Sequence, residues 1–384
     1  MNYYTLPKIY NNNIIINPIE NTEELIPYVS NNLFYHYNDI YNRISKDEMT
    51  HFKEMKKNIN TNEYIFSRVS FSKNNLCKLK SKTQIFYDFL EITTIITIFD
   101  DSYNTNSNTN SNTNSNTILN TLHFGKNDDT IECLKMIRKN YTNKINISYF
   151  EKIITDISEK DKYNFIFFAS ELNEAEEIEN DEYYIFLIKI LITIFKNQHV
   201  YGSCIIQINE IFYKPVIDFL YILSSIYSKI YVTKPNTSNI TTYEKYIICK
   251  NFYIDESVKH IYENNTRNLL TFLTNKKGKI QSILDIQIPR FFLTKIEEIN
   301  IIIGQQQIDA LDMIINLLKN KSKNKEEKIE IIKKNCVQKT IIWCEKINKN
   351  QHHQKNNANI FLPKEPEVLP KEPEVLPNIT PHLN

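Results

Sequence analysis

The residues whose types and spacing could carry chemistry lie mostly between residues 202 and 252. Gln207 interrupts an apolar run, Lys234 begins a Lys-Pro loop, and Glu244 opens the next apolar run. Gln207 can hydrogen-bond but has no titratable amine, so it is either a satisfied polar group of the core or a functional residue. Glu244 by itself is most simply a surface residue, and its spacing from the Lys-Pro loop makes a role in a site an equal alternative.

The elements that must position these candidates alternate between strands and helices. Residues 202–208 form an apolar strand pattern, followed by an amphipathic helical segment and then by two strand patterns at residues 229–235 and 243–252. Upstream, residues 164–168 form a continuous apolar run, which is typical of a parallel strand buried on both faces. Residues 183–195 follow as a long apolar helix. This alternation predicts an α/β fold with a parallel sheet and right-handed crossovers.

A second set of candidates follows a predicted strand nearer the N-terminus. Residues 86–99 read as a helix running into a β-branched strand, and the turn after them carries Asp100 and Asp101. Either aspartate could bond a ribose or an amino group, although an acidic pair in a turn is more often a helix cap or a solvated loop. A Thr-Asn-Ser-Asn repeat then covers residues 105–116. Such a polar tract cannot bury a core, so we predict a disordered loop at residues 103–117.

Beyond residue 255 the pattern becomes helical, which predicts a helical region at residues 256–350. The predicted helices cover residues 258–273, 289–303, 305–320 and 326–347. The last of them is lysine-rich and could bind RNA phosphates, with Trp343 as a stacking surface. A solvated helix face with the tryptophan in the core is the favoured alternative, because glutamates interrupt the positive charge. Residues 351–384 contain a repeated Pro-rich unit and predict a disordered tail.

Composition narrows the class of protein. A formal net charge of +1 gives no whole-molecule attraction to nucleic acid, so RNA binding would need a local patch. The six cysteines form no Cys-x-x-Cys pair and have no metal-ligand spacing with histidine, so we expect no metal and a reducing compartment. No signal-peptide pattern opens the sequence, and no apolar run is long enough for a bilayer. We therefore expect no membrane association and a cytoplasmic location.

The run from Gly202 to Phe252 resembles the C-terminal half of FtsJ-like RNA ribose 2′-O-methyltransferases. In those enzymes, one strand begins with glycines and carries a lysine, and a later strand ends in Lys-Pro-x-x-Ser-Arg. The strand after it has the form Ser-Glu-x-Tyr-(apolar)₂-Cys-Lys-x-Phe. The chain is similar in order and spacing, and its helical tail looks like that of the large-DNA-virus members. The resemblance implies a Rossmann-like, S-adenosylmethionine-dependent methyltransferase sheet at residues 76–255, mostly parallel with an antiparallel last strand, followed by a C-terminal helical extension. It also implies host cytoplasm or the virion as the location. Residues 1–75 have no assignment.

In that family, methyl transfer is attributed to a Lys-Asp-Lys-Glu tetrad, in which one lysine deprotonates or orients the ribose hydroxyl. The family's glutamate aligns with Glu244 of this chain, whereas the position of its catalytic lysine holds Gln207. The position of its aspartate corresponds to Ala169 and Ser170, and Glu171 is the next residue. The first lysine aligns best near Asp88, with Lys80 and Lys82 as alternatives in a shifted register, and the arginine after the loop serine is Asn239.

The family's Pro-Gly-Gly-type cofactor loop falls at residues 99–104, which contain no glycine. A glycine there lets backbone N–H groups approach the ligand without an intervening side chain. We therefore expect a homologue with impaired or lost catalysis that acts as an RNA-associated or binding subunit. An active mRNA cap 2′-O-methyltransferase using S-adenosylmethionine is the alternative. A structural scaffold whose C-terminal helices pair with a protein partner is the second alternative.

Overall fold

A seven-stranded sheet forms the centre of the molecule, and a two-stranded sheet lies beside it. The computed structural model describes residues 1–10, 14–45, 48–60, 65, 83–99, 118–125, 128–138, 143–149, 161–170, 181–275, 279–319 and 324–352. The strands are β1 (Tyr3–Leu6), β2 (Ile16–Asn21), β3 (Leu119–Phe124), β4 (Asn143–Ser148), β5 (Tyr163–Phe168), β6 (Gln198–Ile208), β7 (Tyr227–Thr233), β8 (Lys245–Phe252) and β9 (Lys279–Leu284). The described helices are α1 (Asn31–Asn42), α2 (Met49–Ile59), α3 (Gln84–Ile95), α4 (Asp128–Ile137), α5 (Asp181–Asn197), α6 (Lys214–Ile226), α7 (Glu256–Asn275), α8 (Arg290–Lys319) and α9 (Lys325–His352).

The strand order of the large sheet is β1-β7-β8-β6-β5-β3-β4. Strands β4, β3, β5 and β6 are mutually parallel, whereas β8 runs antiparallel to both of its neighbours, β6 and β7. Strand β1 adds an antiparallel edge next to β7. The predicted α/β class is thus confirmed, because the sheet is Rossmann-like and mostly parallel. The predicted antiparallel last strand is β8, and helices follow it.

Two hydrophobic cores cover the two faces of the large sheet. Along β5, Phe165 and Phe167 face one core, and Ile166 and Phe168 face the other. This alternation follows from the two-residue period of a strand. All four side chains are buried, which explains why the strand reads as a continuous apolar run.

The segment predicted as a helix running into a strand is instead the helix α3 followed by a turn. Its β-branched residues favour a strand locally, but Phe86 through Thr93 are all buried, and this burial overrides the local propensity. Thr93 donates its hydroxyl to the Phe89 carbonyl at 2.7 Å, so the polar group is satisfied inside the helix. The first parallel strand is therefore β3, which begins after the Thr-Asn-Ser-Asn repeat. Asparagine, threonine and histidine interrupt the apolar pattern of β3 in the sequence.

The C-terminal region also departs from the prediction in two places. Strand β9 lies inside the region predicted as helical and pairs with β2 of the unassigned N-terminal region. The two helices predicted at residues 289–303 and 305–320 form the single helix α8, which passes through the buried Gly304. A Cβ at Gly304 would lie 2.6 Å from Leu33 Cδ2 of α1, so the glycine permits this close helix crossing.

Several predictions concern residues outside the described ranges. They include the disordered loop at 103–117, residues 353–384 of the tail predicted at 351–384, and Asp100 and Asp101. Residues 351 and 352 of that predicted tail belong to the helix α9 instead. The domain boundaries at residues 75, 255 and 350 stay predictions. None of the helices in the described ranges is long and apolar enough to cross a membrane. Within the same ranges, no group of three His, Cys, Asp or Glu residues could hold a metal ion.

Candidate functional site

The positions that the tetrad comparison assigned to Ser170, Gln207 and Glu244 come together at the carboxyl ends of β5 and β6. Gln207 Nε2 donates to Glu244 Oε1 at 2.6 Å, and Gln207 Oε1 accepts the backbone N–H of Ser170 at 3.0 Å. All three residues are partly exposed, so a ligand can reach them. Residues that are distant in the sequence therefore form one polar surface at the place where open α/β sheets bind ligands.

Strand register explains why Glu244 and Gln207 meet. Gln207 lies opposite Tyr246 in the antiparallel β6–β8 pair. Glu244 is two residues before Tyr246 and hence points to the same face of the sheet. Tyr246 is buried, and its hydroxyl lies 3.2 Å from Glu244 Oε1 and 3.1 Å from Asp88 Oδ2, so its one proton is shared between the two carboxyl groups. This places a hydroxyl and an amide on the same carboxylate oxygen.

The helix α3 supplies the remaining side chains from one of its faces. Gln84 and Asp88 are four residues apart and therefore lie one above the other on that face. Gln84 Nε2 lies 3.2 Å from Asp88 Oδ2 and 3.2 Å from Glu244 Oε2, so this amide bridges the two carboxyl groups. Asp88 thus joins the site at the position where the first tetrad lysine aligned best. Lys80 and Lys82, the alternatives, lie outside the described residues.

Asp88 is a strongly perturbed carboxyl group of the site. It is fully buried and accepts hydrogen bonds from Ser238 Oγ at 2.9 Å, from Tyr246 OH at 3.1 Å and from the Thr237 hydroxyl. Burial raises the pKa of Asp88 from 3.8 to about 7, and the negative charge of Glu244 raises it further, against the lowering effect of the hydrogen-bond donors. A carboxyl group with such a pKa can exchange a proton near neutral pH, but its burial keeps it from direct contact with a substrate.

The loop between β7 and β8, residues 234–244, is held in place by buried polar contacts. Glu91, one turn after Asp88 on α3, accepts the Asn236 backbone N–H and the Asn236 side-chain amide, each at 2.9 Å. The Met1 ammonium lies 3.2 Å from Glu91 as well. Lys234 donates its Nζ to the carbonyl oxygens of Thr242 at 2.8 Å and Glu244 at 2.9 Å. The lysine of the Lys-Pro motif therefore shapes the backbone that presents Glu244.

Lys245 lies next to Glu244 in sequence but on the opposite face of β8. Its Nζ donates to the Tyr243 carbonyl at 2.9 Å and to the Asn209 carbonyl at 3.4 Å. Burial lowers the pKa of Lys245 to about 7, and the charge of Lys234 lowers it further. Glu210 is buried on the same side, where burial raises its pKa to about 7. This pair was not predicted, because only the strand register decides which face each side chain occupies.

The first parallel strand ends in a glycine that the sequence analysis did not assign to a site. Gly125 follows β3 directly, has a φ of 90° and donates its N–H to the Ser148 carbonyl at 3.1 Å. A positive φ and the lack of a side chain suit a turn that a ligand approaches closely. The cofactor loop predicted at residues 99–104 stays a prediction, although Phe99 follows the helix α3 and a turn and not the strand expected there. The sequence does contain a signal for the turn at Gly125: the chain has four glycines, and Gly125 directly follows the interrupted strand pattern.

His123 is a buried polar residue of β3 that takes no part in the polar surface. Its ring lies among Phe89, Phe165 and Phe167, and its Nδ1 is 3.3 Å from Thr130 Oγ1. Burial lowers the pKa of His123 to about 3, so the ring is neutral at physiological pH. We therefore treat it as a core residue.

Comparisons with known proteins give a distant likeness only. No protein-family model matches the chain, and no curated protein matches its sequence. Among solved structures, the chain is similar to a provisionally named ribosomal RNA methyltransferase from Plasmodium falciparum, with 14% sequence identity and a TM-score of 0.33. The match covers 44% of this chain and 97% of that one. At this distance the likeness assigns no reaction to the chain.

Proposed function

We propose that the chain is an FtsJ-like RNA ribose 2′-O-methyltransferase homologue that has lost methyl transfer and acts as an RNA-associated subunit. The observation that carries this proposal is the convergence of Asp88, Ser170, Gln207 and Glu244 in one hydrogen-bonded site. This arrangement supports a site of the tetrad type, whereas the position that the resemblance gives to the catalytic lysine holds an amide.

The chemistry of Gln207 supports loss of the usual reaction. Transfer of a methyl group to a ribose hydroxyl needs a group that accepts or orients the hydroxyl proton. A neutral amide has no basic lone pair at physiological pH. The amide of Gln207 is also engaged on both sides, because its Oε1 accepts from Ser170 and its Nε2 donates to Glu244. Gln207 thus serves to hold the strand ends together.

An active enzyme is the second candidate, and Gly125 is the observation that favours it. S-adenosylmethionine, when bound, would supply the methyl group. Gly125 ends the first parallel strand with a turn that suits close approach of such a ligand. In this case Glu244, which is partly exposed, would orient the ribose hydroxyl.

A protein partner that binds the C-terminal helices stays a further prediction.

Two measurements on the full chain separate the candidates. We expect no micromolar binding of S-adenosylmethionine by calorimetry and no methyl transfer to a capped RNA oligonucleotide. Methyl transfer by the wild-type protein that Glu244→Ala abolishes would establish the active enzyme instead. Glu297→Ala is a matched control, because it removes a carboxylate from α8, away from the site.

The variant Gln207→Lys tests whether the missing lysine at position 207 accounts for the loss of methyl transfer. It restores an amine within reach of Glu244, and Gln305→Lys adds the same charge on the exposed face of α8. If the amine alone is missing, Gln207→Lys gains methyl transfer and Gln305→Lys does not. If neither variant gains it and S-adenosylmethionine does not bind, the loss includes the cofactor site.

A further inference from the structure

A cavity of about 440 Å³ lies beside the candidate site, between the loop 234–244 and the helix α9. We call it the α9 pocket. Its volume lies within the range of about 300–1,000 Å³ that is usual for small-ligand sites. Its lining residues are Asn60, Lys234, Pro235, Asn236, Ser238, Ile240, Gln306, Lys339, Ile342, Trp343 and Lys346. The pocket is thus built from four parts of the chain: the end of α2, the loop, α8 and α9.

The lining of the α9 pocket is positively charged. It contains three lysines, and none of its lining residues is acidic. Lys339 and Lys346 are seven residues apart on α9, which places them on the same helix face two turns apart. Both are exposed at the rim, whereas Lys234 is anchored to backbone carbonyls in the wall. Such a lining favours an anionic ligand.

Two buried carboxyl groups lie behind the loop side of the pocket. Ser238 and Asn236 line the pocket, and they donate hydrogen bonds to Asp88 and Glu91, respectively. The two exposed lysines of the lining, Lys339 and Lys346, lie at the α9 side, so the charged group of an anion should lie there. The neutral part of the ligand would then face the loop and its amide and hydroxyl groups.

The remaining lining suits a nucleotide. Pro235, Ile342 and Trp343 provide apolar lining for a base, while Asn60, Asn236 and Gln306 provide amides that can bond a base edge or a ribose. Trp343 is buried and packs edge-on against Tyr87 at 6.3 Å between ring centroids. The core alternative for Trp343 is therefore confirmed, although the residue also lines the pocket.

We infer that the α9 pocket binds one phosphate-bearing nucleotide of a single-stranded RNA, with its phosphate at Lys339 and Lys346. This inference rests on the proposed function, since the pocket adjoins the Asp88 and Glu244 site through the loop 234–244. The RNA would then pass from α9 towards the carboxyl ends of β5 and β6. An acidic protein segment is the competing class of ligand.

The single tryptophan of the chain makes the pocket directly observable. A fluorescein-labelled single-stranded oligoribonucleotide of mixed sequence is titrated into the full chain, with binding followed by anisotropy. The unlabelled oligonucleotide is titrated in parallel, with Trp343 emission as the signal. We expect the emission to change in step with the anisotropy, because the nucleotide contacts the pocket that Trp343 lines.

The double variant Lys339→Gln/Lys346→Gln removes two phosphate contacts. For a single strand, the slope of log K against log salt should fall in magnitude by about 1.4, which at about 0.1 M salt is roughly a 25-fold weaker Kd. The control Lys328→Gln/Lys334→Gln removes the same charge from exposed positions of α9 that do not line the pocket. It should retain the wild-type Kd within about 3-fold.

Each outcome decides a different point. If the wild-type chain binds no RNA, both the proposed function and the pocket assignment fail. If it binds RNA but the double variant matches the control, or Trp343 emission does not change at saturation, only the pocket assignment fails. If a polyglutamate peptide binds in a manner that depends on Lys339 and Lys346 while RNA does not, the ligand is an acidic protein segment.

Discussion

Replacement of Asp88 by asparagine should make the protein more stable at alkaline pH. The carboxyl group is fully buried, and its pKa is raised from 3.8 to about 7, first by burial and then by the charge of Glu244. Between these two pH values the folded state holds a proton that the unfolded state has released. Stability contributed by this group therefore falls as the pH rises from about 4 to about 7. The asparagine cannot ionise and removes this loss.

The size of the effect follows from the pKa values. The change from 3.8 to about 7 corresponds to about 4 kcal/mol, at ~1.36 kcal/mol per pH unit. The amide keeps one acceptor for the hydroxyls of Ser238 and Tyr246, which now donate to Asp88. Its added N–H₂ group must find new partners, at a cost of about 1 kcal/mol. A net gain of about 2–3 kcal/mol is expected at about pH 8, and no gain at about pH 4.5.

Urea unfolding at these two pH values measures the prediction directly. Asp39→Asn is the control, because Asp39 is 63% exposed in its pair with Arg43 and its replacement should change stability by less than about 1 kcal/mol. If Asp88→Asn changes the free energy of unfolding by the same amount at both pH values, the carboxyl group does not titrate in the way its burial implies. Destabilisation at about pH 8 would show that Asp88 is stabilised in its charged form.

Two further predictions concern other buried positions. Gly304→Ala should destabilise the protein by about 1–3 kcal/mol, because the new Cβ would lie 2.6 Å from Leu33 Cδ2; thermal unfolding measures this, and an unchanged midpoint would show that Leu33 can move aside. Glu210→Gln should stabilise the protein above about pH 8 by up to about 3 kcal/mol, because burial raises the pKa of Glu210 from 4.5 to about 7 and Lys245 beside it is largely neutral at that pH. Urea unfolding at about pH 5 and about pH 9 checks the second prediction, and a pH-independent effect would contradict it.

The parts of the fold that could be predicted are those with a local signature. The run at residues 164–168 predicted the parallel strand β5, because a strand covered on both faces must be apolar throughout. The strand, helix and strand patterns after Gly202 likewise predicted β6, α6, β7 and β8 in the correct order. Their spacing also placed Gln207 and Glu244 at strand ends, where a site forms.

The parts that could not be predicted depend on contacts between distant residues. The β-branched segment of α3 is helical because the sheet and the C-terminal helices bury it, and no local pattern reports this burial. Strand β3 was missed because asparagine, threonine and histidine interrupt its apolar pattern, and the glycine that follows it was missed with it. Strands β2 and β9 escaped prediction because each is stabilised by the other across a long sequence separation.

The sequence by itself determined the types of the side chains at the site: an amide at Gln207, a carboxylate at Glu244 and an aspartate at Asp88. Local periodicity also determined that the first two lie at the ends of strands. Only the tertiary structure decided that Asp88 joins them, that hydroxyls surround it and that its pKa rises to about 7. The physical reason is that burial and the distance between charges, which set a pKa, are properties of the packed chain and not of any segment of it.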